Sequence, residues 1–286
     1  GSMVQIAGFP GVWMAGVLAT VMGRKLCMIL FTIIMLFSWI FIALFKTPAA
    51  ILGARVLSGI AVGGITVAAD SYLTEVPDID VRGIMFGITS FSYVSGELLM
   101  LCLGYWFRYY TVALISAVLP AIFLFILFFI PESPTLLYLK GKEEPARKLL
   151  RRLRGPHANI EDELKSYRSL NLGSQDRASW RGLLERETLK KIAIISGLFV
   201  LQAFSGEINI MVNASRVFET VGSAIDSQLS AIIMMAMQLF GSLFFGMLLD
   251  RFGRKRTLIV SFLVMGLSLT PMVAWSYFVR NLPDDK

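Results

Sequence analysis

One histidine, His157, and two cysteines, Cys27 and Cys102, are all that 286 residues hold of the side chains that most often ligate zinc or form disulfides. A lone imidazole argues against a histidine-built zinc site and against a Ser–His hydrolase. Both cysteines stand inside apolar runs and form no CxxC pair, so a disulfide framework is excluded. Charge is scarce as well: 16% of residues are Asp, Glu, Lys or Arg, against about 25% in a soluble domain. No glycine-rich phosphate loop is present, and the basic residues lack interleaved aromatics, so the +7 net charge does not point to nucleic acid. No catalytic set can be assembled, and no cofactor or metal is called for. The chain reads as a non-enzyme.

What is present is apolar length. Hydrophobic residues make up 56% of the chain and the mean hydropathy is +0.68. The runs Met3–Met22, Leu26–Phe45, Thr111–Ile130 and Ser230–Leu249 each hold 20 residues without a charge. A helix of about 20 residues crosses a hydrocarbon layer of roughly 30 Å. Eight spans are expected, near 3–22, 26–45, 48–72, 83–106, 110–130, 190–213, 227–249 and 257–279. The reading is an all-α protein of the lipid bilayer. An amino-terminal bundle covers 1–130, a polar helical loop 131–189, and a carboxyl-terminal bundle 190–286.

Basic residues orient it. The connections on one side of the membrane hold 21 of the 27 Lys and Arg residues, those on the other hold 5, and Arg55 is inside a span. By the positive-inside rule the 131–189 segment is expected in the cytoplasm and the start of the chain outside. Within that segment Ala146, Leu149, Leu150 and Leu153 form a stripe on a helix over Glu143–Arg154, with Lys148, Arg151, Arg152 and Arg154 around it. Two readings stay open: a helix packed beneath the bundle, or one lying on the anionic inner leaflet. Ile160, Leu164 and Tyr167 suggest a second short helix, and Trp180, Leu183 and Leu184 a third.

A repeat divides the chain. The stretch from Gly16 to Gly23-Arg24-Lys25 is matched, 230 residues on, by Gly246 to Gly253-Arg254-Lys255. Each copy closes a span and leads into the next through a tight loop, where glycine permits the turn. Repeats at equivalent topological positions mark transporter folds built from two halves.

These residues resemble the sugar porter family of the major facilitator superfamily. Asp250-Arg-Phe-Gly-Arg-Lys255 is similar to the family's loop after its eighth span. Arg55-Val-Leu-Ser-Gly59 with Gly63 resembles its fourth-span signature. Tyr72-Leu-Thr-Glu75 with Arg82-Gly83 resembles the element that follows, and Pro131-Glu-Ser-Pro134 the motif closing its sixth span. The nearest flavour resembles insect facilitated trehalose transporters. The resemblance implies a fold of two six-helix bundles, of which about eight of twelve transmembrane helices, the second to the ninth, are expected here. It implies a small-molecule substrate, a sugar or polyol, moved by alternating access, and the plasma membrane is the expected site of action. Facilitated and proton-coupled modes are both open, with protons the coupling ion in the second.

The resemblance also implies roles. Gln202, Ser205 and Asn209, with Glu207 among them, would bind substrate. The cluster Arg24, Glu75, Arg82, Glu132, Asp250, Arg251 and Arg254 would form and break pairs as the two halves rock. Departures stand beside these matches. Thr20 and Val21 replace an expected Asp-Arg pair, Ala203 and Ile208 replace amides, Ser90 replaces a glutamine and Thr135 an arginine. A charge deep in a span costs about 2.5–3.5 kcal/mol and needs a partner or a wet cavity. Arg55 and Glu97 are therefore singled out as intramembrane charges, while Asp70 lies about one turn from a helix end. The degenerate stretches leave an alternative: a transport-inactive, transporter-like sensor or scaffold.

Overall fold

A computed structural model describes residues 2–155, 160, 161, 163–165, 167, 185–206 and 226–280. Ten helices are described, and no strand occurs among the described residues. They are α1 (Ser2–Val21), α2 (Arg24–Leu44), α3 (Pro48–Glu75), α4 (Ile79–Trp106), α5 (Tyr109–Phe129), α6 (Pro134–Leu139), α7 (Glu143–Arg154), α8 (Arg186–Phe204), α9 (Ser227–Phe252) and α10 (Arg254–Arg280). Helix is the conformation that lipid imposes, because each backbone N–H must find its carbonyl within the segment. Helices α1 to α5 are long and apolar enough to cross a bilayer. Helices α8, α9 and α10 fall on the sixth to eighth expected spans.

The connections are as short as the expected antiparallel path requires. Gly23 turns α1 into α2 with φ 118° and Gly253 turns α9 into α10 with φ 76°. Both lie in the region that disfavours a side chain, and they are equivalent positions of the 230-residue repeat. The sixth expected span, 190–213, differs. Helix α8 ends at Phe204, where Gly206 takes φ 79° and the Ser205 N–H bonds back to Leu201 O and Gln202 O, each at 3.1 Å. A glycine in this conformation is a standard way to end a helix.

Small residues set the packing of the first five helices. Helix α3 lies in the angle between α1 and α2, and α2 packs on α5. A Cβ added at Gly11 would overlap the Ile60 backbone, one at Gly59 the Val4 carbonyl, and one at Gly63 the Gly8 carbonyl. A Cβ at Gly64 would strike the Phe31 ring, which is fully buried. The close backbone approach gains dispersion contacts that larger residues would block. Ala15, Ala19, Cys27, Met28, Phe31, Ala68 and Leu127 form the core around this crossing. Ser38 ties α2 to α3 by donating to Ala54 O at 2.7 Å.

The outer surface is made of large apolar side chains, such as Phe129 at 74% exposed and Phe125 at 65%, as a lipid-facing surface requires. Tyr105, Trp106, Tyr109 and Tyr110 cluster at the α4–α5 turn, where aromatic rings suit the lipid–water boundary. Helix α4 packs on α9, burying Val94 on one and Ala231 and Met235 on the other. Helix α8 buries none of its side chains.

Replacing Gly63 by leucine is expected to cost about 1–3 kcal/mol of stability through overpacking against α1. Cys27 is fully buried, so in a Cys102→Ser background its reaction with a thiol-specific fluorophore reports unfolding. The variant's thermal midpoint should fall; an unchanged midpoint would contradict the packing described.

Candidate functional site

At one end of the bundle three chain segments meet: the α1–α2 turn, the end of α3, and the stretch after α5. Arg24 opens α2. Its Nη2 and Nε donate to Glu75 Oε1 at 2.7 and 3.1 Å, and its Nη1 donates to Ala19 O at 2.9 Å. The pair is mostly sheltered, with 12% and 17% of the two side chains exposed. The Ser133 hydroxyl donates to the second Glu75 oxygen. Glu132 Oε1 accepts three backbone N–H groups, from Arg24 and Lys25 at 3.1 Å and Ser133 at 3.0 Å. Two of these are orphan donors of the first turn of α2, which carries the positive end of the helix dipole.

Gly23 makes this possible twice over. Its backbone is in the left-handed region, and a Cβ there would come within 2.5 Å of Glu132 Oε2. The carbonyls at the end of α1 are satisfied from the same direction, because Lys140 Nζ donates to Val21 O at 3.0 Å and Met22 O at 3.3 Å. Tyr72 OH donates to Pro131 O at 3.1 Å and Lys25 Nζ to Phe128 O at 3.0 Å. Each contact crosses between segments that would have to separate if the helices moved apart at this end.

Of the expected charge cluster, Arg24, Glu75 and Glu132 are thus brought together. Arg82 is not among them. Its Nε is buried without a hydrogen-bond partner among the described residues. Asp250, Arg251 and Arg254 sit on the backbone around Gly253, and their side chains lie outside the described ones. Glu207 and Asn209 also lie outside the described residues. Gln202 and Ser205 are at the end of α8, Gln202 exposed, with the Ser205 hydroxyl donating to the Gln202 carbonyl at 2.6 Å. Asp70 is exposed near the end of α3.

A second charged knot went unread in the sequence. Arg154, the last residue of α7, reaches Asp78 Oδ1 at 2.8 Å, Glu163 Oε1 at 3.0 Å and the Val76 carbonyl at 2.8 Å. Tyr167 OH donates to Glu163 at 2.8 Å. Beneath it Leu150, Ile160, Leu164 and Tyr167 are packed together with Tyr138. Of the apolar stripe of α7, Ala146 and Leu150 are buried against protein, Leu149 is half-buried and Leu153 is exposed, which favours packing beneath the bundle over a helix lying on the leaflet. The available signal was a basic residue at a helix C-terminus next to a glycine. Burial works to raise the Glu163 carboxyl, but hydrogen bonds from Arg154 and Tyr167 and the charges of Arg154 and Arg82 overrule it and hold it below the ordinary glutamate value. Burial, with Glu163 beside it, pushes the Tyr167 phenol up to about 12.

Within the membrane, Arg55 lies over the Trp39 ring with its guanidinium carbon 5.7 Å from the centroid, a cation–π contact rather than an ion pair. Glu97 borders a cavity of about 870 Å³ between α2, α4, α5 and α9, whose wall also includes Gln5 of α1 and Ile65 of α3. The cavity does not include Gln202 or Ser205 in its lining. No group of His, Cys, Asp and Glu capable of holding a metal occurs among the described residues.

Because the folded Glu163 carboxyl titrates below its unfolded value of about 4.3, its stabilisation is present above that pH and is lost as pH falls through the folded value. Hydrogen exchange of α7, corrected for intrinsic rates, should therefore rise on acidification below about pH 4. A Glu163→Gln variant should lack most of that rise; an identical acid profile in the variant would refute the assignment. Gly23→Ala should also destabilise the turn, by about 1–2 kcal/mol for the backbone conformation alone, read as a lower thermal midpoint.

The family model described as sugar (and other) transporter matches residues 1–284. The facilitated trehalose transporter Tret1 of Apis mellifera ligustica is 31% identical over 99% of this chain and 57% of its own length. Tret1-1 of Drosophila simulans is 33% identical over 99% of this chain and 34% of its own. The chain thus spans about half, or less, of the length of these relatives. Among solved structures, the proton:xylose symporter XylE bound to 6-bromo-6-deoxy-D-glucose superposes with a TM-score of 0.78 at 21% identity, covering 89% of this chain and 59% of that one. The inward-open structure of the E. coli xylose transporter gives 0.69 at 20% identity. This multi-pass membrane chain, with the all-α major facilitator fold, belongs to the sugar (and other) transporter family.

Proposed function

We propose that the protein moves a sugar or related small polyol across a membrane by alternating access, in the facilitated mode. The observation that carries the reading is the three-segment knot of Arg24, Glu75, Glu132 and Ser133. It closes one end of the amino-terminal helices with contacts that can be exchanged rather than with a continuous apolar core. A two-state transporter needs such contacts, since its states must differ by only a few kcal/mol. The relatives named facilitated trehalose transporters support the substrate class and favour transport over an inactive sensor.

In this reading 1–130 and 190–286 are the two bundles, and 131–189 lies in the cytoplasm with the knot above it. The side of the knot follows from the basic residues, and the plasma membrane is the proposed location. Gln202 and Ser205, with Glu207 and Asn209, supply groups to the substrate path. A glutamine amide both donates and accepts, which suits a hydroxyl that does the same. Asp250, Arg251 and Arg254 take the equivalent place at the Gly253 turn. The family relationship supports a non-enzymatic role; a bilayer and a sugar are the partners it calls for.

Vesicles reconstituted with the chain should take up labelled trehalose or D-glucose saturably, with no requirement for an inward proton gradient. Glu75→Gln should weaken the closed end and reduce the uptake rate by about tenfold, the equivalent of about 1.4 kcal/mol between states. Absence of uptake of any sugar, with protein correctly inserted as judged by Lys140 accessibility, would overturn the proposal.

A further inference from the structure

The cations of α7 are not all spent on the fold. Six basic residues run from its N-cap, Lys142, to its last residue, Arg154. Two of them meet carboxylates. Arg147 pairs with Glu161 and lies 3.8 Å from Glu143, and Arg154 holds Asp78 and Glu163. Lys142, Lys148, Arg151 and Arg152 are exposed, and their side chains have no hydrogen bond or ion pair among the described residues. Lys148, Arg151 and Arg152 are spaced i, i+3 and i+4, so they share one helix face. That face lies opposite Ala146 and Leu150, which are fully buried. Glu144, one turn before Lys148, offsets one charge and leaves the four cations an excess of three.

The ends of α7 fix its depth. Two residues before the N-cap, Lys140 donates to the Val21 and Met22 carbonyls, where the span α1 ends. At the other end Arg154 donates to the Val76 carbonyl and to Asp78, in the turn between the spans α3 and α4. The 12 residues of α7, about 18 Å of helix, are therefore slung along the ends of three spans. The polar headgroup zone on each side of a bilayer is about 5–8 Å deep, so a helix at this level lies in it or against it. Arg151 and Arg152 belong to the same last turn as Arg154.

We propose that Lys142, Lys148, Arg151 and Arg152 form a docking face for anionic phospholipid headgroups of the inner leaflet. The chemistry is charge pairing with headgroup phosphate and carboxylate, which suits the guanidinium fork. The contact differs from insertion. An amphipathic helix lying on a leaflet sinks its apolar stripe into the acyl boundary, whereas Ala146 and Leu150 are already taken up by the fold. Leu153, at 37% exposed, is too little to make an inserting face. The inference rests on the cytoplasmic placement proposed for this segment, since that leaflet is the anionic one, and makes no use of sugar transport. Because α7 is tied to α1, α3 and α4, the leaflet grips those span ends through it.

The test uses the chain in nanodiscs, with bimane on Leu153→Cys in a Cys102→Ser background, where Cys27 is buried. Quenching by headgroup-spin-labelled phosphatidylserine is compared with quenching by spin-labelled phosphatidylcholine at equal mole fraction. The serine lipid should be enriched beside the label by at least about fivefold at low salt. Enrichment should fade at about 1 M salt, where the Debye length is about 3 Å. Lys148→Gln, Arg151→Gln and Arg152→Gln together should abolish it. Lys148→Arg, Arg151→Lys and Arg152→Lys together keep the charge and should keep the enrichment. Glutamine is a good helix former, and hydrogen exchange of α7 in phosphatidylcholine alone checks that the helix persists; the salt series decides should it fray. Equal quenching by the two lipids in the parent, or enrichment that survives the triple glutamine variant, would overturn the inference. Equal quenching with polyglutamate bound at this face would assign it to an acidic protein instead. Lys140 reached only from the exterior would remove the inference together with the topology. Enrichment without uptake of any sugar would uphold it and remove the transport reading alone.

Discussion

Where α1 crosses α3, Gly8, Gly11, Gly59 and Gly63 bring two backbones together with no side chain between them. Lipid supplies little hydrophobic force to drive one helix onto another, so the crossing relies on dispersion at close range. The rest of the amino-terminal bundle is arranged around this contact. It sets α3 between α1 and α2, buries Phe31 against Gly64, and carries Glu75 to the point where Arg24 begins α2. A displacement of α3 along α1 by one helical turn, about 5.4 Å, would move Glu75 out of reach of Arg24. The apolar crossing and the polar knot at its end are therefore one mechanical unit.

The knot shows how a few polar groups can be stable at a helix end without locking it. Glu132 is held by backbone N–H groups, Glu75 by a guanidinium and a hydroxyl, and the last carbonyls of α1 by Lys140. None of these interactions requires a desolvated charge without a partner, which would be far more costly. The second knot, around Arg154, binds the polar segment to the start of α4 through Asp78 and the Val76 carbonyl. Motion of α3 and α4 at this end must therefore carry α7 with it. A loop of this kind is a coupled part of the bundle and not a tether.

Charge inside the membrane is treated in two different ways. Arg55 uses an aromatic face, and Glu97 keeps one carboxyl oxygen buried without a hydrogen-bond partner among the described residues. The contrast follows from chemistry: a guanidinium is weakly hydrated and stacks readily, whereas a carboxyl oxygen needs a donor.

The first five spans, the turns at Gly23 and Gly253 and the family were legible in the sequence. Span length, glycine at a tight turn and charge asymmetry are local properties that a bilayer reads directly. The meeting of Arg24, Glu75 and Glu132 was legible only through resemblance, since 108 residues separate Arg24 from Glu132. Tertiary structure alone decided that Arg82 makes no ion pair with that group, that Leu150 of the α7 stripe packs on Leu164 and Tyr167, and that α8 stops at Phe204. It alone placed Trp39 beneath Arg55 and opened a cavity at Glu97. These outcomes depend on which helix faces are opposed at a given depth. Periodicity tells that a face is apolar or polar, but the partner it meets is set by the packing of several helices at once.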